Sequence, residues 1–114
     1  MTEGVKTILY PVRDLEKSKA LFTRLIGAEP TADSPYYAGF DVDGQQIGLV
    51  PGGHDQGMEG PVPHFHVSDI EGTLQALLDA GAAEQQKITE VSKGRRIAKV
   101  KDLDGNIIAL LQDD

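Results

Sequence analysis

At 114 residues, with 18 acidic against 11 basic side chains and no cysteine, the chain has the length of one small domain and cannot form disulfides, thiolate nucleophiles or sulfur-ligated metal sites. Its formal charge of -7 counts against nucleic-acid binding, which rests on neutralising phosphates. The longest apolar runs, such as IIALL at 107–111, fall far short of the roughly 18 residues a membrane span needs, and MTEGVK has no apolar signal core, so a cytoplasmic protein with no membrane role is expected.

In chain order, KTILYPVR (6–13) alternates loosely like a strand. Asp14 then stands as an N-cap before a helix whose apolar Leu15, Phe22, Leu25 and Ile26 lie near helical spacing, and Gly27 supplies the stop. YYAGFDVDGQQIGLVP follows as two β-rich runs joined by Asp43-Gly44, a strong two-residue hairpin signal. PGGHDQGMEGP (51–61), rich in glycine and ended by prolines, reads as a connecting loop. The second half repeats the order: HFHV forms a strand, Asp69 caps a helix through Ile70, Leu74, Leu77 and Leu78, and Gly81 ends it before a β-rich remainder.

The repetition holds at residue level. VRDLE at 12–16 answers VSDIE at 67–71, and DGQQIGLV at 43–50 answers DGNIIALL at 104–111. Two copies of one βαβββ unit are therefore expected within a single domain of residues 1–114: module one about 1–53, the loop about 51–61 and module two about 62–114. The third β-segment of the first copy is placed either around GMEG or in the short stretch after Gly27.

These paired motifs, V-x-D-[LI]-E opening each helix and D-G-N-x-I near the end, resemble the vicinal oxygen chelate superfamily of glyoxalases, bleomycin-resistance proteins and dioxygenases. The resemblance implies an α+β fold in which two paired βαβββ modules curl mixed sheets around a cleft, and a homodimer. In metal-using members of that superfamily a His or Gln ligand stands five residues before the Val of V-x-D, and a further ligand four residues after the Gly of the late D-G turn. Here those positions hold Thr7 and Gly48 in the first module and Val62 and Ala109 in the second. None is a good ligand for a divalent cation, so no metal and no other cofactor is expected.

His64 and His66 alternate with Phe65 and Val67, so both histidines share the face of Val62 while Phe65 and Val67 turn to the helix layer. A hairpin closed at Asp43-Gly44 pairs Asp41 with Gln46 and Gly39 with Gly48, so that with Gly48 facing the cleft, as the resemblance implies, Tyr37, Asp41 and Gln46 face it too, and Thr7 joins them from the ligand position of the first strand. Tyr37 reads as an aromatic platform with space left beside it by Gly39 and Gly48. His54 in the loop and KGRR at 93–96 read as solvated groups. The expected ligand-binding set is Thr7, Tyr37, Asp41, Gln46, His64 and His66, with no catalytic residue assigned.

The function these readings support is a metal-independent protein binding a small molecule, of the bleomycin-resistance-like type, sequestering a drug or metabolite. The alternative is a metal-dependent lyase, isomerase or dioxygenase with an unusual site using His64 or His66. A third possibility is a dimerisation module whose groove binds nothing.

Overall fold

The structure is a computed structural model and describes residues 2–114. Its elements run β1 (Thr2–Pro11), α1 (Leu15–Ile26), β2 (Ala32–Ser34), β3 (Tyr37–Val42), β4 (Gln45–Val50), a 3-10 turn at His54–Gln56, β5 (Val62–Val67), α2 (Ile70–Asp79), β6 (Ala83–Ser92), β7 (Arg95–Lys101) and β8 (Ile107–Asp113). The order strand, helix, three strands occurs twice, as the repeat requires. The third β-segment of the first copy is β2, after Gly27; GMEG forms no strand.

The chain divides into two compact units. Thr7–Val62 makes the first, and Pro63–Asp114 with the residues up to Lys6 makes the second. β1 thus contributes to both, and it begins four residues earlier than the sequence pattern suggests.

In the first unit the strand order is β2-β3-β4-β1. β3 and β4 form the antiparallel hairpin with Asp41 opposite Gln46 and Gly39 opposite Gly48, and β4 runs parallel to β1 with Thr7 opposite Gln46. Asp43 and Gly44 both adopt positive φ, 52° and 86°, as a two-residue turn between right-twisted strands demands. The other face of this sheet carries Ala38, Phe40 and Leu49, which pack with Val12 and Leu15 and against Tyr10, Phe22, Ile26 and Ile47. Phe22 of α1 is the hinge of this cluster, with its ring centroid 5.2 Å from Tyr10 and 6.4 Å from Phe40. Asp14 caps α1 by accepting the Lys17 amide at 3.1 Å, and Gly27 ends it in the left-handed region at φ 83°. Leu25, expected on the buried stripe, is 74% exposed, because it turns outward with Leu21 while Phe22 and Ile26 hold the sheet.

In the second unit the order is β1-β5-β8-β7-β6, where the β1 segment is its first residues, tied to β5 by a 2.8 Å bond from Thr2 Oγ1 to the His66 carbonyl. β5 and β8 are parallel; β8, β7 and β6 are antiparallel, with irregularities in β6 at Glu84/Gln86, Gln86/Thr89 and Glu90/Ser92. Ile70 and Leu74 of α2 pack on Val67, Ala98, Val100 and Leu110. Each such aliphatic side chain removed from water contributes about 1.5–3 kcal/mol, so this cluster holds α2 to its sheet. Asp69 caps α2 through the Gly72 amide at 3.1 Å, and Gln112 of β8 reaches back to the Ile70 amide at 2.7 Å. The 51–61 connection is more built than a loop pattern suggests: Met58 is 4% exposed, and a side chain on Gly53 would run into Pro11 and the Met58 sulfur.

Candidate functional sites on the two sheet faces

Each unit has one sheet face packed on its helix. The opposite face carries the residues that the sequence singles out.

On the first unit's face, laterally paired strands bring Thr7, Gln46 and Asp41 into one row. Thr7 is 2% exposed and its hydroxyl donates to Gln46 Oε1 at 3.4 Å, so both polar groups are engaged with each other. Asp41 is exposed and accepts the Gly44 amide at 3.1 Å, which ties its carboxylate to the hairpin turn. The next row is Leu9, Gly48, Gly39 and Ala32. Here the expectation of open space fails. A Cβ at Gly39 would lie 2.9 Å from Tyr37 Cε2, and one at Gly48 would collide with the Tyr37 hydroxyl and ring edge and with Leu9 Cδ2. The Tyr37 ring itself lies across both glycines, so they exist to let an aromatic ring sit on the backbone.

On the second unit's face, the rows are His64, Ala109, Lys99, Gln86 and then His66, Leu111, Ile97, Thr89. Phe65 and Val67 join the α2 cluster, so the predicted alternation of β5 holds. His64 is 1% exposed and His66 half-buried. Burial is the main reason the His66 imidazole titrates below its ordinary value; Arg95 and Lys6 push the same way, and Asp113 and Glu3 oppose them. Arg95 holds Asp113 at 2.7 Å through Nε and at 3.0 Å through a second nitrogen, a bidentate pair that pulls the Asp113 carboxyl below its usual range. KGRR is therefore a solvated turn only at Lys93 and Gly94: Arg95 and Arg96 lie in β7, and Arg96 pairs with Glu71 at 2.6 Å.

Sequence reasoning missed Lys99. It is 9% exposed, and burial lowers its pKa. Among the described residues no carboxylate stands within ion-pair range of it, and no charged neighbour contributes to the shift. The signal was available in the alternation of RRIAKVK, which puts Lys99 between Ile97 and Lys101 on one face. The run reads as merely basic until the pairing of β7 with β8 is known.

Two apolar or charged hollows lie elsewhere. One of about 280 Å³ sits on the α2 side of the second unit, lined by Phe65, Val67, Thr73 and Leu77 among others, without an ionisable group. Another, of about 500 Å³, follows α1 in the first unit, where Lys19 is already held by Asp33 at 2.9 Å and Glu16 at 3.0 Å.

The four positions at which the superfamily's metal users carry ligands do not fit a metal here. Thr7 is buried and its hydroxyl engaged, Gly48 lies beneath Tyr37, and Val62 and Ala109 are 3% and 0% exposed with no donor atom to give. Among the described residues no three His, Asp or Glu side chains are grouped to hold a metal ion. A glutamate built at position 48 would strike the Tyr37 ring, so that ligand position is blocked as well as empty of donors.

Comparison with known proteins places this architecture. The chain resembles a Streptomyces coelicolor methylmalonyl-CoA epimerase variant in complex with 2-nitronate-propionyl-CoA (TM-score 0.77, 15% identity, 99% of each chain). It is also similar to a glyoxalase/bleomycin resistance protein/dioxygenase superfamily member from Vibrio splendidus 12B01 (TM-score 0.71, 19% identity, 94% of this chain and 97% of that one). A third likeness is to the Mn(II)-bound glyoxalase from Novosphingobium aromaticivorans (TM-score 0.75, 14% identity, 98% of this chain and 39% of that one). None of the curated proteins matches the sequence. The model of one family matches residues 4–110, and with that match the repeated βαβββ unit has its place: the chain belongs to the glyoxalase/bleomycin resistance protein/dioxygenase superfamily.

Proposed function

We propose that this chain is a metal-independent small-molecule-binding member of its superfamily. The observation that carries this reading is the replacement of every metal-ligand position by Thr7, Gly48, Val62 and Ala109, while buried ionisable side chains persist on the second unit's face. Without ligands for a Lewis acid, polarising a substrate oxygen through a metal has no support here. His64 and His66 instead supply imidazole donors and acceptors, and in the first unit Thr7, Tyr37, Asp41 and Gln46 line the corresponding face. Related folds take up organic ligands of this kind, as the epimerase complexed with a nitronate-bearing CoA ester illustrates. Assembly as a homodimer is part of the proposal and is checked by light scattering.

The test is direct. Purified protein analysed for Mn, Fe, Ni and Zn carries well under one equivalent of any of them, and none raises its melting temperature. One bound equivalent, with stabilisation removed by His64→Ala, would establish the competing metal-dependent lyase, isomerase or dioxygenase reading, because a ligand that binds only the native state must raise its stability. A ligand-library thermal-shift screen that yields no reproducible stabilisation would leave only a dimerisation module.

A further inference from the structure

The hollow of about 280 Å³ on the α2 side of the second unit is lined from α2 by Thr73 and Leu77, from β5 by Phe65 and Val67, and from β8 by Ile108 and Leu110. The repeat accounts for its position. Matching VRDLE with VSDIE makes Phe65 the counterpart of Tyr10 and Leu77 the counterpart of Phe22, and matching DGQQIGLV with DGNIIALL makes Ile108 and Leu110 the counterparts of Ile47 and Leu49. In the first unit the Phe22 ring occupies this place, 5.2 Å from Tyr10 between ring centroids and in one cluster with Ile47 and Leu49. In the second unit a leucine stands where that ring would be, and among the described residues no aromatic ring packs against Phe65. The second unit is one ring short at this place, and the hollow lies there.

The walls narrow what the hollow can take. They carry no ionisable group and turn no polar surface inward, so a charged or strongly polar group entering would lose its hydration without gaining a partner. Thr2 also lines it, with its hydroxyl engaged by the His66 carbonyl at 2.8 Å and the Gly4 amide at 2.9 Å. None of the large apolar side chains that the chain exposes, Leu21, Leu25, Tyr36 and Leu103 among them, borders the hollow. Its apolar surface is thus confined to a recess and does not spread into the broad patch that a protein interface needs. An apolar cavity of about 150 Å³ lined by Leu, Ile and Phe takes up benzene, so the space here suits a ring with a short substituent.

We propose that this hollow is a binding site for a small uncharged aromatic molecule, a single ring with at most a short alkyl substituent, packed on Phe65 and Leu77 in the place that the Phe22 ring holds in the first unit. The site lies on the face of the sheet opposite His64 and His66, and it is independent of the binding role proposed above. Ring against ring at Phe65 would reproduce the Tyr10–Phe22 contact with the second ring supplied from solution.

Toluene and ethylbenzene, titrated into protein with labelled methyl groups and followed by NMR and thermal shift, test this. Both are expected to raise the melting temperature saturably and to move the methyl signals of Val67, Leu77, Ile108 and Leu110 while leaving the His64 and His66 ring signals in place. Benzoate and benzylammonium, the same ring with a charge, are expected to bind at least about tenfold more weakly. Leu77→Phe gives the second unit the residue of the first, and is expected to weaken toluene binding at least about tenfold while keeping wild-type circular dichroism. The wild-type methyl signals decide the assignment even if that variant misfolds. Toluene leaving those methyl signals unmoved, the charged rings binding as tightly as toluene, or a folded Leu77→Phe binding toluene like wild type would each overturn the proposal. Unmoved methyl signals together with dissociation of a homodimer by Leu77→Phe would assign the hollow to a second copy of the chain instead.

Discussion

The two units start from the same βαβββ plan and treat matching positions differently. Gly48 and Ala109 occupy the same place after the D-G turn, and Leu9 and His64 are their partners on the neighbouring strand. In the first unit the space above Gly48 is filled by the chain's own Tyr37. In the second, Ala109 stands in one row between His64 and Lys99. The position after the D-G turn is therefore treated in two ways within one molecule: it lies under an internal ring in the first unit, and in a row with His64 and Lys99 in the second.

Gly48→Val puts this contrast to its hardest test. The added side chain must displace Tyr37 and Leu9, and overpacking of this kind destabilises by about 3 kcal/mol, read as a lower denaturant midpoint. Adding Tyr37→Ala should restore much of that loss, since the two residues share one space. Full-size destabilisation persisting in the double variant would mean the ring is not what fills the first unit's face.

Helix caps should not distinguish the units. Asp14→Ala and Asp69→Ala each remove one side-chain bond to a first-turn amide, and each is expected to cost about 1 kcal/mol. A cost confined to Asp14 would show that Gln112, which reaches the Ile70 amide, carries the capping of α2.

Lys99→Met should leave stability at neutral pH unchanged or slightly raised, since an unpaired buried charge gives way to apolar packing. The sign with pH follows from the lowered pKa. The folded chain releases the Lys99 proton at lower pH than the unfolded one does, so wild-type stability gains as pH rises through the folded value toward 10.5. The variant's pH-stability curve should lack that gain; identical alkaline curves would place Lys99 in ordinary solvent.

The smallest effect is expected for Arg95→Ala, at most about 0.5 kcal/mol for a partly exposed pair. Asp113 titrates low because of Arg95, so the pair's contribution is present above the unfolded carboxyl value near 3.8 and is lost as pH falls below it. NMR titration of the variant should show Asp113 moving up. His66 should move up too, because it loses a nearby cation and keeps a nearby carboxylate.

Much of the fold was legible because local signals agreed with one another. The Asp14 and Asp69 caps, the Asp43-Gly44 turn and the repeated V-x-D-[LI]-E pattern each carry their own mechanism, and the β3–β4 register follows from the turn alone. Leu25 was misplaced because Leu21 and Phe22 offer α1 two overlapping apolar stripes, and only packing against Tyr10 and Phe40 chooses between them. The sites were less legible. Alternation placed His64 and His66 correctly against Phe65 and Val67, but the neighbours across the sheet depend on which strands pair. Lys99 belongs beside His64 only because β8 lies between their strands, and nothing local to residue 99 announces it. The fate of Gly39 and Gly48 was hidden for the same reason: small residues signal close approach without saying what approaches.

The bond from Thr2 to the His66 carbonyl spans 64 residues and places the chain's opening segment in the second unit. During synthesis those residues emerge ahead of the first unit, yet their partner strand appears only after the whole of that unit has been made. Residues 2–6 cannot pair with β5 until then, so the second unit closes late. A fragment cut at the 51–61 connection would leave the second unit without one of its own strands.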